Sequence, residues 1–112
     1  MLGIIGAMEV EVEKLRAKMT ETEMKTVAGM NFCKGKLEGK DVVIVRSGIG
    51  KVNAAMCAQI LADVYHADHV LNTGIAGSLK AEINIGDIVL STDALQHDMD
   101  AQAFGYEPGQ IP

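Results

Sequence analysis

Val-Leu-Asn-Thr-Gly-Ile-Ala-Gly-Ser-Leu, residues 70–79, decides how the rest of the chain is read. An apolar run, Val70 and Leu71, stops at Asn72-Thr73-Gly74 and gives way to small residues. The pattern predicts a buried strand ending in a tight loop where something approaches the backbone closely. Ile4–Glu9 (IIGAME) and Val45–Lys51 (VRSGIGK) have the same shape. In open α/β sheets ligands sit outside the carboxyl ends of the strands, so three such ends predict one shared pocket.

Working outward, Met1–Ile5 reads as a central parallel strand closed by Gly6, and Val42–Val45 as a second strand buried on both faces. Met8, Val12, Leu15 and Met19 recur at helical spacing, with acids early and bases late, as the helix dipole favours. Thr20–Lys25 is polar and reads as a loop. Met30–Leu37 and Val42–Val45, joined by Glu38-Gly39-Lys40, form an antiparallel hairpin, with Gly29 and Gly35 expected at bends or bulges. Val52, Met56, Ile60 and Val64 make an i, i+4 stripe, widened by Ala55, Cys57 and Leu61, on a second helix that ends at Tyr65–Asp68. A strand over His69–Asn72, a turn at Ile83–Asp87, a strand over Ile88–Ser91 and a long loop from Asp93 to Pro112 complete the reading. The fold class is α/β: three layers, a central twisted mixed sheet flanked by helices, incomplete in this chain.

Composition narrows the function. At 112 residues there is room for one modest domain. A 48% hydrophobic fraction supplies a core, built from aliphatic residues because only 4% is aromatic. The net charge of -5 argues against nucleic acid and against an anionic membrane surface. No apolar run approaches the roughly 20 residues needed to span a bilayer. With no signal-peptide pattern at the N-terminus, the expected location is cytoplasmic. Cys33 and Cys57 are expected as reduced thiols in or near the core, without a zinc motif. His97, Asp98 and Asp100 read as a hydrogen-bonded structural cluster rather than a metal site, and His66 and His69 as surface residues.

GIIGAMEVEV (3–12), SGIGKVNAA (47–55), NTGIAGSL (72–79) and GDIVLSTDALQHDMDAQAFGYEPGQIP (86–112) together resemble the 5'-methylthioadenosine/S-adenosylhomocysteine nucleosidases, of the nucleoside phosphorylase superfamily. The resemblance covers essentially the whole chain. It implies that residues 1–112 are the N-terminal part of a single nucleoside phosphorylase-like domain that works as a homodimer. The implied reaction is hydrolysis of the N-glycosidic bond of 5'-methylthioadenosine, S-adenosylhomocysteine or 5'-deoxyadenosine to adenine and the thio- or deoxyribose. No metal or organic cofactor is implied.

By the same resemblance Glu11 activates the attacking water, a task that suits a carboxylate as general base and electrostatic partner of an oxocarbenium-like sugar. Read from spacing alone, Glu11 is one more solvated acid beside Glu9 and Glu13. Ala7 and Met8 match positions close to the ribose, and Ile49 an apolar contact to the 5' substituent. Ile75, Ala76 and Gly77 match the segment beneath the purine and ribose. Phe104 and Pro112 match residues that reach into the partner protomer's pocket. Ile75 stands where some members carry a hydroxyl, and Ser78 where glycine is common.

Two alternatives stay open. The family's purine-protonating Asp, its ribose-binding Glu and a base-stacking aromatic lie beyond the part this chain resembles. The chain therefore also reads as an inactive fragment, or as one half of a split enzyme that needs a complementary C-terminal polypeptide. The other alternative is a different purine nucleosidase or phosphorylase, such as a futalosine hydrolase. Phosphorolysis needs cations at the anion site, whereas Asn72, Glu9 and Glu11 occupy the relevant strand end and helix start.

Overall fold

The computed structural model describes residues Met1–Pro112 as two compact units, Met1–Ala76 and Gly77–Pro112. In the first unit the order is β1 (Leu2–Gly6), α1 (Glu9–Arg16), β2 (Thr20–Val27), β3 (Met30–Leu37), β4 (Lys40–Arg46), α2 (Lys51–Tyr65) and β5 (His69–Asn72). The five strands form one mixed sheet in the order β2-β3-β4-β1-β5. β4, β1 and β5 run parallel, while β2, β3 and β4 pair antiparallel.

The pleat sorts the apolar residues onto two faces. Val43, Val45, Ile5 and Phe32 pack with Cys57 and Leu61 of α2. Val42, Ile44, Ile4 and Cys33 pack with Val12 of α1 and with Met19. Successive residues of β4 thus alternate between the two helical layers, which is why Val42–Val45 is apolar without interruption. The three-layer mixed arrangement agrees with the sequence reading.

Two glycines of β1 set how near the helices come. A Cβ on Gly3 would lie 2.8 Å from Leu61 Cδ1, and one on Gly6 would lie 2.6 Å from Val12 Cγ1. A methyl at Gly3 would displace the Leu61 side chain, and one at Gly6 those of Val12 and Glu11.

Several expectations are corrected. The polar stretch Thr20–Lys25 is not a loop: it is most of β2, held by its antiparallel register with β3 (Met24 opposite Cys33, Thr26 opposite Asn31). Its side chains are almost all exposed, so no apolar alternation marks it. The first helix stops at Arg16, and Met19 reaches the core from the turn that follows. On α2 the buried residues are Cys57 and Leu61, expected as the flank of the stripe, and Ile60 packs against their cluster, whereas Val52 is 82% exposed; the sheet-facing side is centred on that flank and not on the i, i+4 stripe itself. Gly35 lies within β3 opposite a bulge, as expected: the register with β2 shifts between Thr20 and Glu23, and a Cβ on Gly35 would come 2.7 Å from the Thr20 carbonyl oxygen. Within residues 1–112 β5 is the edge strand of the sheet, and Val70 and Leu71 are each 48% exposed.

Tight turns join β2 to β3 and β3 to β4. Ala28-Gly29 and Glu38-Gly39 both take positive φ at the two central positions, the hairpin geometry whose twist matches that of the strands. The hairpin of β3 and β4 is the one the sequence predicts.

In the second unit, Gly77–Pro112, the regular element is one turn of 3-10 helix, η1 (Gln102–Phe104). Asp100 Oδ1 accepts the Gln102 backbone N–H at its start, and Gly105 closes it at φ 88°. Ile88–Ser91, expected as a strand, is irregular and exposed. A turn at Asn84–Asp87 and an irregular stretch over 93–112 agree with the reading. No helix of either unit is long and apolar enough to cross a membrane.

Both cysteines are free and buried. Burial pushes the Cys57 thiol up to about 11, and pushes Cys33 up too, partly offset by the nearby Arg16. The thiolate is the reactive form, so native protein is expected to resist iodoacetamide at mildly alkaline pH and to take up two labels once unfolded in urea. Labelling of Cys57 in native protein at the rate of a free thiol, read by mass spectrometry, would contradict its placement.

Candidate active site at the strand ends

The carboxyl ends of β4, β1 and β5 lie side by side, and the pairing continues past each strand. The Ser47 backbone N–H donates to the Gly6 carbonyl at 2.9 Å, and the Thr73 N–H donates to the Ile5 carbonyl at 2.8 Å. The three Gly-containing stretches that the sequence singles out therefore converge.

Glu11 sits where they meet. Its Oε2 accepts the Met8 backbone N–H at 3.0 Å, reaching back across the first turn of α1 to satisfy a donor the helix leaves unpaired. A Cβ on Gly74 would lie 3.0 Å from Glu11 Oε1. On Gly6, a Cβ would lie 3.0 Å from Glu11 Cβ and 3.5 Å from its Oε2. The half-buried carboxylate is thus confined between the ends of β1 and β5 by residues that lack side chains.

A cavity of about 500 Å³ opens beside the ends of β1 and β4. Ala7, Met8 and Ile49, all expected at the substrate, line it. So do Glu9 and Arg46, from two of the strand-end stretches expected to share a pocket, and Asn53 and the Ala28-Gly29-Met30 corner, which the sequence reading missed. The corner arrives through sheet register: Phe32 is opposite Val45, so the residues before it lie beside the end of β4. Ser47 is buried, and its Oγ donates to the Gly48 carbonyl at 2.8 Å. Asn53 Nδ2 donates to the Ile49 carbonyl at 2.8 Å and packs against Gly48, whose φ of +87° suits glycine. These contacts hold the β4–α2 loop and present Ile49, 74% exposed.

Charge at this cavity is organised by Glu9. Its Oε1 pairs with Arg16 Nη2, two turns along α1, and its Oε2 lies 3.9 Å from Arg46 Nε at the end of β4.

Ile75 and Ala76 follow Gly74 at the end of the first unit; Ile75 is 89% exposed. Gly77, Phe104 and Pro112 belong to the second unit, where Phe104 is 84% exposed. His97 Nδ1 lies 3.9 Å from Asp98 Oδ1, while Asp100 serves the 3-10 turn. No three His, Cys, Asp or Glu side chains are grouped to hold a metal ion.

The comparisons place this geometry among known proteins. The chain is 52% identical over 110 residues to the 5'-methylthioadenosine/S-adenosylhomocysteine nucleosidase of Shewanella loihica, a match covering 98% of this chain and 48% of that protein. A nucleosidase of the same description from Colwellia psychrerythraea, solved in complex with adenine, superposes with a TM-score of 0.95 at 52% identity, over 99% of this chain and 46% of that one. The Neisseria meningitidis enzyme, solved with methylthio-immucillin-A, gives 0.94 at 42% identity, over 99% and 48%. The chain spans about half the length of the curated relatives it matches. The profile of the phosphorylase superfamily matches residues 1–112 throughout, and the chain belongs to that superfamily.

Proposed function

We propose that this chain supplies the water-activating half of an N-glycosyl hydrolase that releases adenine from 5'-methylthioadenosine, S-adenosylhomocysteine and 5'-deoxyadenosine. The observation that carries the reading is the Glu11 carboxylate, fixed by the Met8 N–H and confined by Gly6 and Gly74 where three strand ends converge. An acid held there can take a proton from water and oppose the positive charge that grows on the sugar as the purine leaves. The descriptions of the similar enzymes, and the adenine bound to one of them, support the substrate class.

Water, rather than phosphate, is the nucleophile in this reading. Glu11 lies between the strand ends at the start of α1, so a phosphate dianion at the attacking position would meet its carboxylate. Ala7 and Met8 are assigned to the ribose side, Ile49 to the 5' substituent, and Ile75, Ala76 and Gly77 to the face beneath the base. Phe104 and Pro112 are assigned to the pocket of a second protomer in a homodimer; the exposure of Phe104 suits that role. Residues 1–112 form the N-terminal part of one domain in this account, and a complementary C-terminal segment supplies the acid that protonates the purine.

The test is adenine release from methylthioadenosine by the full-length protein carrying this chain, with and without inorganic phosphate. Equal rates in both are expected, with free methylthioribose as the sugar product. A rate that requires phosphate and yields a sugar phosphate would replace hydrolysis by phosphorolysis. The 112-residue chain alone is expected to release none, and to recover turnover only with the complementary segment.

A further inference from the structure

We propose that Arg46 determines specificity for a 5' substituent that ends in a carboxylate, the α-amino-acid tail of S-adenosylhomocysteine, and that Glu9 positions it. The proposal rests on reading the strand-end cavity as the nucleoside site.

Glu9 and Arg46 are the charged side chains among the residues lining that cavity. Met8, Met30, Ile49 and Met56 make the apolar part of the wall. A thioether chain suits polarizable methionines, which adapt to irregular apolar groups. The far end of an amino-acid tail is charged and needs a counter-charge where the apolar wall gives out.

Arg46 stands at such a place. It ends β4, one residue before the buried Ser47, and its side chain is 56% exposed. The Glu9 carboxylate lies near its Nε at 3.9 Å, on one edge of the guanidinium. A guanidinium presents its Nη groups as a fork of donors, which matches a carboxylate in a way a lysine ammonium does not.

The sign of the local field agrees. Glu9 is shared between Arg16 and Arg46, so the three side chains carry one positive charge in excess. An incoming carboxylate neutralises it. The ammonium on the same carbon then lies near the lone pairs Glu9 retains. Both Glu9 and Arg46 are about half exposed, so docking the tail strips little water from either.

The test compares two substrates in the full-length protein: S-adenosylhomocysteine, and its decarboxylated analogue with the same thioether and amine but no carboxylate. The wild type is expected to favour the amino acid in kcat/KM. In Arg46→Met that preference falls by about fivefold, the size expected of a half-exposed charge contact, carried in KM rather than kcat. Arg46→Lys recovers part of it, and Glu9→Gln lowers it by less, although it leaves both arginines uncompensated, because the guanidinium is then free to turn away; a rise would mean that Glu9 acts by charge alone and does not position Arg46. Urea midpoints of each variant separate this from unfolding. A preference that Arg46→Met leaves unchanged overturns the proposal while leaving the nucleosidase reading in place. If the wild type releases no adenine from methylthioadenosine, the reading fails and the proposal with it.

Discussion

Glu11→Gln is expected to fold like the wild type and to lower adenine release by the full-length protein roughly 10³-fold, within the range that a positioned general base contributes. The substitution is chosen for what it preserves. The Gln carbonyl oxygen has the reach of Oε2 and can still accept the Met8 N–H, so the first turn of α1 keeps its closure. The shape between Gly6 and Gly74 is kept as well. Only the negative charge and the basic lone pairs go. The check pairs single-turnover adenine release with a urea midpoint measured on the same sample. Turnover within about tenfold of wild type, with the fold intact, would remove Glu11 from the chemistry.

Phe32→Ala is the second large effect, on stability rather than on turnover. Phe32 is fully buried in the layer between the sheet and α2. Its ring stacks on Tyr65 with centroids 5.1 Å apart and planes 21° from parallel. Removing the ring discards that contact and leaves a cavity among Ile5, Val43, Val45, Cys57 and Leu61, at a cost of about 3–5 kcal/mol. Against a total of about 5–15 kcal/mol for an ordinary domain, that is a large fraction. Repacking has little to offer. Tyr65 carries a hydroxyl that is itself buried without a hydrogen-bond partner, so sliding it deeper would deepen a penalty already present. Denaturant unfolding followed by circular dichroism reads the effect. A midpoint close to wild type would mean that this layer collapses around the loss.

What the sequence made legible follows from where apolar residues meet a partner. β4 was readable because Val42–Val45 feed two helical layers at once. β2 was not, because its register with β3 and the Ala28-Gly29 turn hold it in place while its own side chains face water. The error at Ile88–Ser91 is the converse. β-branched composition describes a segment able to pair, and a strand exists only where another backbone completes the ladder. β5 shows the same distinction, since the apolar character of Val70 and Leu71 says what they would bury, not what covers them.

The site divides along similar lines. Glycines at three chain positions announced the strand ends, and the family pattern named Glu11, Ala7, Met8 and Ile49. The Ala28–Met30 corner had no local signature. Its place depends on the opposition of Phe32 and Val45, and registers between strands are not written in either strand alone.

The two hydrogen atoms that stand in for side chains at Gly3 and Gly6 fix more than packing. A carbon on Gly6 would lie 2.6 Å from Val12 Cγ1 and 3.0 Å from Glu11 Cβ, so the side chains of the first helix settle onto the sheet only where that vacancy admits them. Glu11 precedes Val12 by one residue, so the reach of the acid is set by it too. A wider cavity is therefore to be sought at the Ala28–Met30 corner, which borders it, and not on the central strand.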